Sequence, residues 1–135
     1  MSNIFNYDDL LSNYLDEKDI VNEILGVYIN KVKEQLILLN DYINNCDYPQ
    51  IQFVSHSIKG SSYNITAEIV GDISLVIEKA SKEMNIEIIK NKYGLLTNEF
   101  KLLTDEINKV LWIILIYIKI VHYVQEIVML IEILN

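Results

Sequence analysis

Of the two histidines in the chain, His56 opens the stretch His56-Ser57-Ile58-Lys59-Gly60-Ser61-Ser62-Tyr63-Asn64-Ile65, whose residue types support phosphoryl chemistry. On a helix, residues three and four along share a face with the first, so Lys59 and Gly60 stand one turn from the imidazole. A neutral imidazole keeps a free lone pair near neutral pH and attacks phosphorus as a nucleophile. Lys59 supplies positive charge for phosphoryl oxygens. Gly60 inside a helix costs up to about 1 kcal/mol relative to Ala. Access offsets that cost, because with no Cβ in the way another protein can bring a phosphorylated group up to the ring. Taken singly, each residue has a plainer reading: a surface histidine, a solvated lysine, a glycine at a close helix contact. Their coincidence on one patch is what favours a site.

Such a patch needs a helix to hold it, and the surrounding pattern supplies one. Pro49 suits a first helical turn, since its missing N–H would have had no intrahelical partner. Ile51, Val54, Ile58, Ser62 and Ile65 then form an inward stripe. His56 lies two residues from both Val54 and Ile58, roughly 200° around the axis from each, and so points outward. Upstream, Tyr7 to Leu15 reads as a short helix and Asp16 as the N-cap of a long second one. In that second helix Val21, Ile24, Leu25, Tyr28, Val32, Leu36, Leu39 and Ile43 recur at helical spacing, with a stop at Asn44 to Asp47. A fourth helix carries Ile69, Ile73, Val76, Ile77, Ala80 and Met84 inward, and a fifth begins after Asn85. Short connections make the expected fold all-α, an antiparallel up-down four-helix bundle with a short N-terminal helix and an extended C-terminal one.

Composition agrees and excludes several functions. The chain has 135 residues, 51% apolar, with one proline and four glycines, too few turn formers for a sandwich or barrel. Nineteen acidic residues against eleven lysines give a net charge of −8, which repels phosphate backbones and excludes general nucleic-acid binding. Cys46 stands alone, and with two histidines it cannot build an ordinary zinc site. The run Met1 to Asp9 lacks the basic and apolar regions of a signal peptide, so a cytoplasmic location is expected.

The stretch His56-Ser-Ile58-Lys59-Gly60-Ser61-Ser62-Tyr63-Asn64-Ile65-Thr66-Ala67 resembles the motif of the histidine-containing phosphotransfer (HPt) domain family. The likeness extends from about residue 5 to 108, through Asp47-Tyr48-Pro49 and Leu75-x-x-Glu78-x-x-x-Lys82. One departure is Thr66, where glycine is common, with a possible change in the turn that follows. The resemblance implies a phosphocarrier without independent catalytic activity. It would take a phosphoryl group on His56 from the aspartyl phosphate of one response-regulator receiver domain and pass it to another. It implies that Mg²⁺ comes from the receiver, leaving no cofactor in this chain, and that a hybrid histidine kinase can be a partner. It also places Glu78 and Lys82 beside the histidine, Glu78 accepting from Nδ1–H and Lys82 adding charge. Without the resemblance these two read as an i, i+4 surface pair.

Two other readings compete. A histidine kinase dimerisation domain also places its histidine after Ser, but continues with Glu and Arg-Thr-Pro, where this chain has Ser57, Lys59, Gly60 and Ser61. Nor do 135 residues leave room for an ATP-binding domain, so autophosphorylation is not expected. A helical oligomerisation or adaptor module with an incidental His56 is the alternative from another class.

The C-terminal third departs from a simple bundle. From Ile89 through Leu96, Leu103, Val110, Tyr117 and Val124 to Ile131, apolar residues alternate four and three apart, a heptad seam. This divides the chain into a bundle, 1–109, and an apolar helical extension, 110–135. Lys119, His122, Glu126 and Glu132 interrupt the extension, so membrane insertion is not expected. Self-association, most simply a homodimer through residues 110–134, is expected instead, with docking of the tail on the bundle and a β-prone aggregating tail as the other readings.

Overall fold

The computed structural model describes residues 4–135 and is helical throughout, with no strand among the described residues. The first three residues of the run read above as lacking a signal peptide lie outside it. Five helices follow in order: α1 (Tyr7–Asn13), α2 (Lys18–Asn44), α3 (Tyr48–Asn64), α4 (Glu68–Lys82) and α5 (Ile86–Leu134). Helices α2 to α5 close into a ring in which each packs on its sequence neighbours and α5 returns to α2. This is the expected up-down four-helix bundle. α1 lies against α2, with Leu10 fully buried.

The core is the set of stripes read from the sequence. Val21, Leu25, Val32 and Leu39 of α2 meet Ile51 and Ile58 of α3, Ile77 of α4, and Ile89, Leu96, Leu103 and Ile107 of α5, all fully buried. Two tyrosines reach into this core with partners, while among the described residues Gln35 Oε1 and Thr104 Oγ1 are buried without one. The Tyr28 hydroxyl lies 2.7 Å from the Ser62 hydroxyl across α2 and α3, both residues buried, and burial pushes the Tyr28 phenol up to about 12 against the lowering effect of that bond. The Tyr93 hydroxyl donates to the Leu36 carbonyl at 2.9 Å, tying α5 to α2.

Every connection uses the same device. α1, α2, α3 and α4 each end in a left-handed residue, Leu15, Cys46, Thr66 and Met84, with φ between 50° and 66°. In each, the following N–H returns to the carbonyl five residues back, as Ala67 N does to Ser62 O at 2.9 Å. Glycine usually holds this position, yet all four glycines lie inside helices. Thr66, a β-branched residue at φ 66°, has side-chain compensation. Its hydroxyl accepts from Asn6 N at 3.1 Å and donates to Asn6 O at 3.0 Å, so the departure at this position keeps the turn and clasps it to the N-terminal segment.

Three expectations are corrected. Asp16 is not an N-cap: it takes a left-handed φ of 61°, and Glu17 precedes α2 without a side-chain cap bond. α1 stops at Asn13, leaving Leu15 87% exposed in the turn. On α4 the inward face is rotated from the one expected. Val76 and Met84 are exposed, whereas Gly71, Ser74, Glu78 and Ser81 are buried. The serines qualify as interior residues because their hydroxyls bond back to carbonyls of their own helix, Ser74 to Val70 and Ser81 to Glu78. The C-terminal helix is extended as expected, running to Leu134 and passing 110 without a break; its last buried residue is Ile107.

Removing the hydroxyl in Tyr28→Phe strands the buried Ser62 hydroxyl, so the variant should lose about 1–3 kcal/mol of stability in urea unfolding. An unchanged midpoint would show that the pair contributes nothing to the α2–α3 contact.

Candidate functional site

α3 begins where Asp47 caps it, its carboxylate accepting from Gln50 N, with Pro49 in the first turn. Its apolar side seats Ile51, Val54 and Ile58 in the core, which turns His56 outward. The imidazole is 66% exposed. α4 runs alongside and brings Glu78 up from the interior, with a side chain only 8% exposed.

The Glu78 carboxylate is shared. Oε1 lies 2.8 Å from His56 Nδ1, and Oε2 accepts from Lys59 Nζ at 2.8 Å. Burial by itself would raise the Glu78 pKa, but the hydrogen bonds from Lys59 and His56, with their charges, outweigh it and hold the group below its ordinary value. Glu78 is therefore an anion that accepts from Nδ1–H, which fixes the neutral ring in the tautomer whose free lone pair is on Nε2. Among the described residues no hydrogen bond occupies Nε2.

Gly60 has one role and not the other. A Cβ at Gly60 would meet no atom within 4 Å, so the glycine is not needed for helix packing and opens onto free surface beside the histidine. The close contact belongs to Gly71 instead, where a Cβ would overlap the ring of Tyr63, whose hydroxyl donates to Asp72 at 2.6 Å. Lys59 does not extend freely into solvent; it is folded down onto Glu78 with 20% of its side chain exposed. Lys82 is not brought into the cluster. It lies exposed on α4 and makes no hydrogen bond or ion pair with Glu78 among the described residues.

Two neighbours were missed from the sequence. Phe53, one turn before His56, is 72% exposed, and with Pro49, Gln52, His56 and Glu78 it borders a shallow groove. An aromatic residue outside the Ile51–Val54–Ile58 stripe was the available signal. Gln35 of α2 donates to the Ser57 hydroxyl at 2.8 Å and steadies α3 beside the histidine.

No protein-family model matches the chain. It is 35% identical over 102 residues to the phosphorelay intermediate protein rdeA of Dictyostelium discoideum, a match covering 72% of this chain and 40% of that relative. The chain thus spans well under half the length of that protein. In fold it is similar to the histidine-containing phosphotransfer protein HptB of Pseudomonas aeruginosa, with a TM-score of 0.75 at 16% identity over 81% of this chain and 95% of the other. The HPt domain of a hybrid histidine kinase from Shewanella gives 0.71 at 17% identity, over 81% and 94%.

The state of Glu78 sets a pH dependence. A carboxyl with a depressed native pKa contributes stability above its unfolded value that is lost as pH falls through the native one. Wild type should exceed Glu78→Gln by about 1–2 kcal/mol near neutrality. The gap should narrow once pH drops below the ordinary value of 4.5 and close below the depressed one. Urea midpoints across that range test this, and a gap independent of pH would contradict an ionised Glu78. The motif, the bundle and the shared carboxylate go with these likenesses: the chain is similar in sequence to a phosphorelay intermediate protein and in fold to histidine-containing phosphotransfer domains.

Proposed function

We propose that this chain is a phosphocarrier in a multistep phosphorelay. His56 accepts a phosphoryl group from the aspartyl phosphate of one receiver domain and gives it up to the aspartate of another. The supporting observation is the geometry of the ring, anchored at Nδ1 by a buried carboxylate and presenting Nε2 to open surface. In the forward step the Nε2 lone pair forms the N–P bond as the acyl-phosphate P–O bond breaks. The leaving carboxylate remains on the receiver, and the Nδ1 proton stays on the imidazole, where Glu78 stabilises the positive charge. The reverse step regenerates the neutral ring.

Lys59 has a double duty in this reading. At rest it balances Glu78; when a phosphoryl group is on Nε2, its ammonium lies within the same turn to offset part of the added charge. Gly60 leaves the approach open, and Phe53 offers an apolar contact beside it. Mg²⁺ belongs to the receiver, whose acidic pocket binds it, and catalysis of the transfer is shared with that partner and not carried by this chain alone. A cytoplasmic station, where receivers are found, goes with this role.

Incubation with a phosphorylated receiver should label the wild type with an acid-labile, base-stable phosphate. His56→Gln should accept none while unfolding close to the wild-type midpoint, since Lys59 still pairs Glu78 and the glutamine amide can donate in place of Nδ1–H. His122→Gln should accept fully. Gly60→Gln should slow transfer by about tenfold or more by misplacing the approaching phosphoryl group, with helicity kept. Label retained in His56→Gln would overturn the assignment of the site, and a wild type that takes no label would overturn the proposal and leave the adaptor reading standing.

A further inference from the structure

α5 outruns the bundle. Its last buried residue is Ile107, and every residue after Val121 is exposed. At about 1.5 Å per residue, the stretch from Val110 to Leu134 reaches on the order of 35 Å. The solved neighbours are matched over 95% and 94% of their lengths by 81% of this chain, which therefore carries residues beyond the shared fold.

Three occupants compete for this apolar helix. Folding back onto the bundle requires a bend, but no glycine or proline follows Gly94, and the helix is unbroken to Leu134. A bilayer suits its length and mean hydropathy of 1.8 over an 18-residue window. Yet Lys119 and Glu126 lie near the middle of the stretch, about 10 Å apart along one face, too far to neutralise each other directly, where lipid penalises charge most. A protein partner meets no such obstacle. Lys119, His122 and Glu126 share one stripe, with His122 Nε2 3.2 Å from Glu126 Oε1, and the heptad seam runs along the opposite side.

That seam is the same one the bundle uses. The register that buries Leu103 and Ile107 continues through Val110, Ile114, Tyr117 and Val121 without a shift. Beside it, where coiled coils usually carry the charges that select a different partner, stand Ile113, Ile118, Ile120 and Ile127, with Gln125 and the near-terminal Glu132 as the polar exceptions. An uncharged, uninterrupted seam is complementary to itself. With these side chains about half exposed, seam and flanks offer on the order of 700 Å² per chain, close to the ~800 Å² per partner of a stable interface.

We propose that residues 110–134 join copies of this chain into a homo-oligomer, seam to seam, with Lys119, His122 and Glu126 facing water. Ile113, Ile114, Tyr117 and Ile118 face the α1–α2 turn across a cleft and the rest of the seam lies beyond the bundle, so the His56 face of each copy stays open. The test is light scattering of the full chain in detergent-free buffer, with circular dichroism as a check on folding. Wild type should give a defined mass at least twice 15.7 kDa. Val121→Glu with Val124→Glu, on the seam, should give the monomer mass with the bundle still folded. Leu115→Glu, on the polar side, should keep the oligomer. A monomeric wild type, a mass with no defined multiple, an oligomer surviving the seam charges, or wild type sedimenting with phosphatidylcholine vesicles would each overturn the proposal.

Discussion

A single buried carboxylate sets the terms for the rest of this molecule. Glu78 sits between α3 and α4 with both oxygens taken, one by His56 Nδ1 and one by Lys59 Nζ, each at 2.8 Å. An unpaired anion in that position would cost several kcal/mol, so the two helices must hold a register that delivers both partners. Such a register needs close packing, and both helices bury small residues: Ser55 and Ser62 on α3, Gly71, Ser74 and Ser81 on α4, with Gly71 against the Tyr63 ring of α3. The bundle core, the left-handed turns and the cap at Asp47 all bear on function through this contact.

In the proposed role, the arrangement would let an acidic protein handle phosphate. With a net charge of −8 the surface as a whole repels an incoming anion, so affinity for phosphoryl groups cannot come from its general field. Instead one lysine is kept at the histidine by a carboxylate it neutralises. Glu78 thereby does two things, fixing the ring tautomer and storing a cation beside the reacting nitrogen. Open space at Gly60 completes the site, and that is a property of what is missing from the surface and not of any added group.

Much of this was legible in the residues. The 3–4 spacing around Ile51, Val54 and Ile58, with Pro49 ahead of it, was enough to turn His56 outward, because burial of an aliphatic stripe leaves one rotation of the helix. The face of α4 was harder. Val76 and Met84 look more interior than Ser74 and Ser81, and only the short approach of α3 makes serine the better fit. Pairing was harder still. Glu78 and Lys82 have the spacing of a helix-surface pair, while the partners Glu78 takes come from another helix and depend on tertiary register. The turns were legible in place, at Asn44 to Asp47 and at Asn85, but not in conformation, since Leu15, Cys46, Thr66 and Met84 adopt one that sequence reading assigns to glycine.

The measurement closest to the central claim is the position of phosphorus on the phosphorylated protein, read by ³¹P and ¹⁵N NMR with ¹⁵N-labelled histidine. If Glu78 holds Nδ1–H as the structure has it, the phosphoryl group lies on Nε2 of His56, and Nδ1 stays protonated and hydrogen-bonded. Phosphorus on Nδ1, or on His122, would contradict the role assigned to the buried carboxylate.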